Sequence, residues 1–194
     1  MPVKNKPIIA ISMGDPCGIG PEIICKSLSE IIFEYDFQPL ILGNFDALEH
    51  IDKLIKTHLK FLKIDSLSRI SELNSEIIPV MDDSNLDFSK ISPGVISAVA
   101  GDASMKWVLH SGRLANSKQV AAVVSCPINK ESCGLAGSKA IGHMELFQEQ
   151  TKSENVATML MTPGLRVVHL STHKSLKKAC DYVTFKNVYS KIEL

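Results

Sequence analysis

Short apolar runs alternate along the chain with longer stretches in which apolar residues recur every three or four positions. The short runs are bounded by Gly, Pro and Asp residues and predict buried strands, whereas the longer stretches predict amphipathic helices. A helix is expected from Pro21, because proline suits the first helical turn. The alternation as a whole predicts an α/β fold. The predicted strands are residues 7–13, 39–44, 59–64, 77–81 and 120–127, and the later predicted helices are residues 46–57 and 95–115.

The strand predicted over residues 120–127 is continuously apolar, which is typical of a parallel strand covered on both faces. Residues 156–161 and 165–172 flank the turn dipeptide Pro163-Gly164 and predict a β-hairpin. Because a hairpin is antiparallel and the strand–helix alternation favours parallel pairing, we expect a mixed sheet flanked by helices.

Two further segments complete the predicted organisation. The polar residues 82–92, closed by Pro93-Gly94, predict an exposed loop, and a hinge is the alternative. Residues from Ser175 onward predict helix with one break near residues 184–187. Within the helix predicted at 95–115, Gly101 predicts a point of close packing.

Composition narrows the class of partner. The 194 residues are 45% hydrophobic, and 21 basic residues balance 21 acidic ones, so no net charge attracts nucleic acid or an anionic membrane. No apolar stretch approaches the length of a membrane span. The five cysteines are odd in number, scattered and without a CxxC pair, which argues against a disulfide framework or a cysteine-bound zinc. We expect a cytoplasmic protein with a small-molecule partner.

The glycine-rich turn GDPCGIGPEI, residues 14–23, lies between the first predicted strand and helix, where ligands collect in open α/β sheets. It is not a Walker loop, because Gly20 is followed by Pro and Glu rather than Lys and Ser or Thr. It is also not a GxGxxG or GxGxxA dinucleotide fingerprint, because the residue three positions after Gly20 is Ile23 and not Gly or Ala. From its residues alone, the turn is explained by a tight strand-to-helix connection.

The same string resembles the N-terminal signature of the 4-hydroxythreonine-4-phosphate dehydrogenase family, in which a strand precedes G(D/E)PxGIGP(E/D). A second segment, CPINKESCGLAG at residues 126–137 running into IGHMELF at 141–147, resembles the family's PxxKxxxxxAG…GHTEFL. A third, STHKSLKKACDYVT at residues 171–184, resembles TTHxxLxxxxxxIT. The resemblance therefore covers essentially the whole chain in order.

This resemblance implies a two-domain architecture of the isocitrate and isopropylmalate dehydrogenase type, incomplete in this chain. Residues 1–120 would form part of a first α/β lobe, and residues 121–194 the start of a second lobe that is truncated relative to the family. The implied reaction is NAD- or NADP-dependent oxidation, with decarboxylation, of 4-phosphohydroxy-L-threonine or a related four-carbon phosphorylated hydroxy acid, in pyridoxal phosphate biosynthesis. A divalent metal such as zinc, magnesium or cobalt would assist, and the protein would be a homodimer.

The resemblance also assigns roles to individual residues. His143 corresponds to the family's substrate-contacting histidine and could orient a phosphate or a hydroxyl, and Lys130 matches its lysine in the same segment. His173 corresponds to one of three metal-binding histidines. Met144 replaces the usual threonine, which removes a hydroxyl that contacts substrate in the family. The other two metal histidines and most cofactor contacts of the family lie beyond the position of Leu194, so no catalytic or cofactor-binding residue is assigned.

Each assignment has a structural alternative. From its residues alone, His173 is explained as a strand-end histidine bonded to the backbone, and Lys130 as a solvated surface lysine. His169 lies on the same strand face as His173, but residues four apart on a strand are roughly 13 Å apart, too far for one metal. His169 is therefore interpreted as structural. Capping and helix-dipole roles suffice for Asp15 and Glu22.

Two alternatives to this dehydrogenase remain. The chain could be a truncated or split-gene product that acts as a non-catalytic ligand-binding or interaction module, because the C-terminal half of the family is missing. It could also bind phosphate esters in a different reaction, because a fold does not determine a function.

Overall fold

The computed structural model of the chain describes residues 6–32, 34–74, 76–138, 142–172 and 174–194. These residues form two compact units, one ending at Gln150 and the other spanning Thr151–Leu194. The strands are β1 Ile8–Ser12, β2 Gln38–Leu42, β3 Lys60–Lys63, β4 Ile77–Met81, β5 Ala122–Ser125, β6 Met159–Thr162 and β7 Leu165–Val168. The α-helices are α1 Gly20–Ile31, α2 Phe45–Ile55, α3 Ala98–Asn116, α4 Lys130–Leu135, α5 His143–Thr151, α6 Leu176–Tyr182 and α7 Phe185–Ile192.

The first unit contains a five-stranded sheet in the order β3-β4-β2-β1-β5. Every pairing is parallel, and the register places Ile9 of β1 opposite Pro39 on one side and Ala122 on the other. Strand β2 is buried along its whole length, as a central apolar strand of a parallel sheet should be. The carboxyl ends of β1 and β5 therefore lie side by side at one edge of the sheet.

Helix α1 begins as the sequence predicts. Pro21 lies in its first turn, where the missing N–H costs no hydrogen bond, and Glu22 lies at the positive end of the helix dipole. Ile24 and Leu28 recur at helical spacing and are buried. Helix α2 is capped by Asn44, whose side-chain oxygen accepts a hydrogen bond from the Ala47 backbone nitrogen at 2.9 Å.

Helix α3 packs against α4 as well as against the sheet. A Cβ at Gly101 would collide with the backbone of Ser132, so the predicted point of close packing is confirmed. Trp107 is fully buried, and its indole nitrogen donates to the Asp82 carboxylate at 3.1 Å. The same carboxylate accepts from Asn44 at 3.0 Å, which joins α3, β4 and the start of α2.

The second unit contains the β6–β7 hairpin and helices α6 and α7. The hairpin is antiparallel and turns at Pro163-Gly164, where Gly164 has φ of +79°. Lys191 of α7 donates to the carbonyl oxygen of Val156 at 2.7 Å. The predicted hairpin and the predicted break between two C-terminal helices are both confirmed.

The α/β fold class is confirmed, with two differences in detail. The described strands form two sheets, one wholly parallel and one antiparallel, instead of a single mixed sheet, because β6 and β7 pair only with each other. The lobes expected at residues 1–120 and 121–194 stay a prediction, and β5 of the second range pairs with β1 of the first. Strand β5 is also not covered on both faces: it is the edge of the described sheet, and Val124 is 52% exposed.

Among the described helices, none combines the length and the apolar content needed to cross a bilayer.

Candidate functional site

The candidate site lies at the carboxyl ends of the neighbouring strands β1 and β5. The chain leaves β1 towards β2 on one side and returns to the other side of β1 at β5. In open α/β sheets, ligands bind in the crevice outside such strand ends, where the direction of the connections changes. The turn at residues 14–23 follows β1, and the segment at residues 126–137 follows β5.

Two of the three glycines in the first turn, Gly14 and Gly20, lie against the protein's own backbone. Gly14 has φ of +70°, and a Cβ there would collide with the Pro127 carbonyl oxygen and lie 2.7 Å from that of Cys126. A Cβ at Gly20 would collide with the Met13 carbonyl oxygen. These positions require glycine because of backbone angle and close approach. The interpretation of the turn as a tight strand-to-helix connection is therefore confirmed.

Asp15 connects the turn at residues 14–23 to the segment at residues 126–137. Its backbone nitrogen donates to the Pro127 carbonyl oxygen at 2.9 Å, and its carboxylate accepts from the Cys17 backbone nitrogen at 2.8 Å. The side chain is buried, and this burial raises the pKa of the Asp15 carboxyl above its ordinary value, although the hydrogen bond from Cys17 opposes the rise. The capping role predicted for Asp15 is present, but the group is also a buried carboxylate in a candidate site.

Lys130 is the first residue of α4 and is exposed. Helix α4 is capped by Asn129, whose side-chain oxygen accepts a hydrogen bond from the Ser132 backbone nitrogen at 2.9 Å. In the described part of the chain, no ion pair holds the Lys130 ammonium group. The substrate contact and the solvated surface lysine both stay open as predictions.

His143 is the first residue of α5 and is half-buried. Its imidazole is hydrogen-bonded to the backbone of Cys126, at the end of β5. Burial lowers the pKa of His143 from its ordinary value of 6.5, and the bond to Cys126 opposes this effect. Met144 follows it on α5 and is also half-buried. The structure thus brings His143 to the segments that begin at Gly14 and Cys126.

The predicted metal ligand, His173, lies outside the described residues. His169 is half-buried, and its backbone nitrogen donates to the Thr158 carbonyl oxygen at 3.3 Å. Among the residues that are described, no three His, Cys, Asp or Glu side chains are grouped so as to hold a metal ion. The metal site predicted from the sequence therefore stays a prediction, and the described residues by themselves do not fit one.

The loop before α3 also reaches this site, which the sequence did not indicate. The backbone nitrogen of Gly94 donates to the Cys17 carbonyl oxygen at 2.7 Å. The predicted turn at Pro93-Gly94 is thus packed against the glycine turn. A backbone contact of this kind has no side-chain signature, and the Pro-Gly dipeptide was the only signal for a fixed turn there.

Comparison with known proteins shows which family this chain belongs to. Residues 36–194 match the family model described as pyridoxal phosphate biosynthetic protein PdxA. A relative from Clostridium botulinum, named "Putative D-threonate 4-phosphate dehydrogenase", is 36% identical over 192 residues, covering 96% of this chain and 55% of that protein. The 4-hydroxythreonine-4-phosphate dehydrogenase of Trichlorobacter lovleyi is 32% identical over 189 residues, covering 97% of this chain and 56% of its own length.

The fold is shared with solved structures. The crystal structure of a 4-hydroxythreonine-4-phosphate dehydrogenase from Burkholderia phymatum matches with a TM-score of 0.86 and 30% identity. The match covers 98% of this chain and 57% of that one. The chain thus spans about half the length of the relatives that it matches.

Proposed function

Because the chain belongs to the family described as pyridoxal phosphate biosynthetic protein PdxA, we propose that it forms the substrate-binding part of a dehydrogenase for a four-carbon phosphorylated hydroxy acid. The first candidate substrate is 4-phosphohydroxy-L-threonine, used in pyridoxal phosphate biosynthesis. The observation that carries the proposal is the convergence of the glycine turn, the segment containing Lys130, and His143 at the carboxyl ends of β1 and β5. In open α/β sheets, ligands bind outside the carboxyl ends of the strands, at the point where the strand order changes direction.

The chemistry of the described residues fits a small phosphorylated ligand. Lys130 supplies an exposed ammonium group, which binds a phosphate or carboxylate as a point charge. His143 supplies an imidazole whose lowered pKa keeps it uncharged at neutral pH. Met144 supplies no polar contact of the kind that a threonine hydroxyl would make. The proposed division of roles is that Lys130 attracts the anionic end and His143 orients a polar group near the reacting carbon.

A second candidate substrate is D-threonate 4-phosphate. It is favoured by the higher identity to the relative named for that compound, 36% against 32%. The two compounds differ at the second carbon, which bears a hydroxyl in one and an amino group in the other. Met144 lies beside His143 and replaces the family's threonine, so a changed preference at a neighbouring carbon is consistent with this sequence.

We include NAD or NADP and a divalent metal in the proposal only because the family resemblance implies them. The described residues offer neither a three-ligand metal cluster nor a dinucleotide fingerprint, and Gly14 and Gly20 of the first turn are packed against the chain's own backbone. No step of the reaction is therefore derived through either group. A cytoplasmic location is likewise proposed from the cysteines, which are all free in the structure.

The intact mass of the protein from its native source decides whether catalysis by this chain alone is possible. A mass clearly above 21.2 kDa would indicate that the functional protein contains further sequence. Formation of NADH from 4-phosphohydroxy-L-threonine and from D-threonate 4-phosphate should then be measured on the complete protein, with and without a chelator. Oxidation of neither compound would overturn the proposal.

A mass of 21.2 kDa would instead favour the non-catalytic alternative, a ligand-binding or interaction module. Calorimetric titration of the 194-residue chain with both phosphorylated acids would then be informative. Binding of either acid that weakens in Lys130→Ala but not in Lys118→Ala would support a substrate-binding role, and no binding would exclude it.

A further inference from the structure

Strand β5 is an edge of the described sheet, but it lacks the features that protect a free edge. It pairs with β1 on one side and with no described strand on the other. Its four residues carry no charge, and Val124 is 52% exposed. Proteins protect free edges with lysine, proline or bulges, because unpaired N–H and C=O groups can pair with another chain. Strand β5 therefore has the sequence of a strand with two neighbours.

The opposite edge of the same sheet is protected. Strand β3 begins and ends with a lysine, Lys60 and Lys63, and both are exposed. Lys60 also forms an ion pair with Glu76 at 2.6 Å, just before β4. Charged side chains at an edge oppose pairing with a further strand, because that pairing would remove them from water. The sheet thus has one protected edge, β3, and one unprotected edge, β5.

One face of the sheet is also uncovered next to β5. Helix α1 connects β1 to β2, and α3 lies in the connection from β4 to β5, which crosses the sheet in the opposite direction. Right-handed connections place these two helices on opposite faces. Helix α3 packs against both β1 and β5. On the other face, α1 leaves a groove beside it, over β1 and β5.

This groove, between α1, β1 and β5, has a volume of about 370 Å³. Its lining is apolar apart from Ser27. Ile11 and Val124 lie opposite each other in the strand register and form part of its floor. Ile23 of α1 lines it from the side and is 37% exposed. A continuous apolar surface of this kind marks a place that another segment covers.

The segment that covers this region must supply both a neighbouring strand and apolar side chains. A second copy that paired through its own β5 would bring the same uncovered groove, because a two-fold axis relates identical surfaces. The relatives contain enough additional chain. This chain covers 55% of the Clostridium botulinum protein and 57% of the Burkholderia phymatum structure, so at least 43% of each lies outside the match.

We propose that β5 and the groove between α1, β1 and β5 are covered by further sequence of the same protein, which corresponds to the unmatched part of these relatives. That sequence supplies a strand that pairs with β5 and apolar side chains that fill the groove. The sheet then continues beyond β5 and ends at β3. This inference depends on no substrate or cofactor, so it and the proposed function can fail independently.

Hydrogen exchange, measured by mass spectrometry on the protein from its native source, tests the additional strand. Outward N–H groups of a free edge exchange rapidly, whereas paired ones exchange only when the structure opens. We expect the β5 amides to exchange at least about tenfold more slowly than those of β3, at every protein concentration. Exchange in β5 as rapid as in β3, or an intact mass of 21.2 kDa, would overturn the proposal. Protection of β5 that is lost on dilution would assign the cover to a second copy and would also overturn it.

Val124→Lys tests the groove in the same native-length protein. A lysine at this position would be buried without a partner beneath a cover, but it would be solvated if no cover existed. We expect the melting temperature to fall by roughly 5 °C or more, or the folded protein to fail to accumulate. Leu54→Lys is the control, because Leu54 is 68% exposed on α2 and does not line the groove. It should change the melting temperature by less than about 2 °C. Equal stability of the two variants would contradict a cover over Val124.

Discussion

The backbone nitrogen of Asp15 donates a hydrogen bond to the carbonyl oxygen of Pro127 at 2.9 Å. This bond connects two segments that are more than a hundred residues apart in the chain and that each carry part of the family signature. It lies beyond the last paired residues of β1 and β5, Ser12 and Ser125, and so extends the sheet into the candidate site. Substitutions around this bond therefore test fold and site together.

Gly14→Ala should destabilise the protein more than a glycine substitution at an equally unusual backbone angle. A left-handed conformation costs a non-glycine residue about 1–2 kcal/mol, and at Gly14 the new Cβ would also collide with two carbonyl groups. We expect the free energy of unfolding in urea to fall by about 3 kcal/mol or more, since overpacking adds roughly 1–3 kcal/mol.

Gly137→Ala is the matched control. Gly137 has φ of +89°, but its Cβ position has no neighbour within 4 Å in the described structure. Only the conformational cost of about 1–2 kcal/mol should remain. Equal losses in the two variants would show that Gly14 is needed for its backbone angle alone and not for the approach of Cys126 and Pro127.

Asp15→Asn should make the protein more stable at neutral pH. Burial raises the folded-state pKa of Asp15 above its ordinary value of 3.8, so the folded protein binds this proton more tightly than the unfolded chain. Stability is then lost as pH rises from about 3.8 through the folded pKa, and the full penalty applies at neutral pH. Asparagine removes the charge and keeps an oxygen for the Cys17 backbone nitrogen. The stability gain should shrink towards acidic pH in urea titrations.

Asp87→Asn is a control for which we expect the opposite change in stability. Asp87 accepts from the Ser89 backbone nitrogen at 3.1 Å, much as Asp15 accepts from Cys17, but it is exposed and its hydrogen bonds lower its pKa. Its contribution is present above its unfolded pKa and is lost as pH falls. Asp87→Asn should therefore be less stable than the wild type at neutral pH. If Asp15→Asn and Asp87→Asn changed the free energy of unfolding in the same direction, burial would not be the cause of the raised pKa at Asp15.

The regular elements could be predicted from the sequence because each is determined by its own residues. The strand predicted at 77–81 is β4, and the helix predicted at 46–57 is α2 to within two residues. The exposure of β5 could not be predicted in this way. A continuous apolar run indicates that a strand can be covered on both faces, but not whether the rest of the chain supplies a cover.

The candidate site could be predicted in its residues but not in its contacts. His143 and Lys130 came from motif spacing, and the structure places both near the end of β5. The hydrogen bond between His143 and the backbone of Cys126 involves a main-chain group, which leaves no trace in residue type. Glycine was expected in this turn because of its backbone angles. The approach of Gly14 to Cys126 and Pro127 could not be predicted, because it depends on β5 lying next to β1 in the sheet.

The thiols should differ sharply in reactivity. Cys180 is exposed, whereas the other four cysteines are buried. Burial raises the pKa of Cys126 to about 11 from 9.0, which reduces its thiolate fraction about a hundredfold at neutral pH. We expect one of the five thiols to react rapidly with an aromatic disulfide reagent in the folded protein, and all five in denaturant.

Cys180→Ser should abolish the rapid reaction and leave the slow one unchanged. Cys126→Ser should leave the rapid reaction intact. A rapid reaction that survives in Cys180→Ser would mean that the core around Cys126 opens readily, contrary to its burial.

The predicted homodimer has a specific candidate surface in the second unit. Leu160 and Val167 form a cross-strand pair of the β6–β7 hairpin, and they are 55% and 42% exposed. Leu165 lies on the same face two residues before Val167 and is 57% exposed. An isolated two-stranded hairpin is marginally stable, and exposed apolar patches of this kind mark interaction surfaces. We expect a second copy of the chain to cover this face.

Leu160→Lys should weaken dimerisation by about tenfold or more, which corresponds to ~1.4 kcal/mol, when light scattering is measured across a dilution series. Leu54→Lys is the control, because Leu54 is a single exposed apolar residue, at 68%, on α2 of the first unit. A dimer that resists Leu160→Lys but dissociates in Leu54→Lys would place the interface on the first unit. A wild-type chain that is monomeric at all concentrations would contradict the dimer itself, and the exposed hairpin face would then require a different partner.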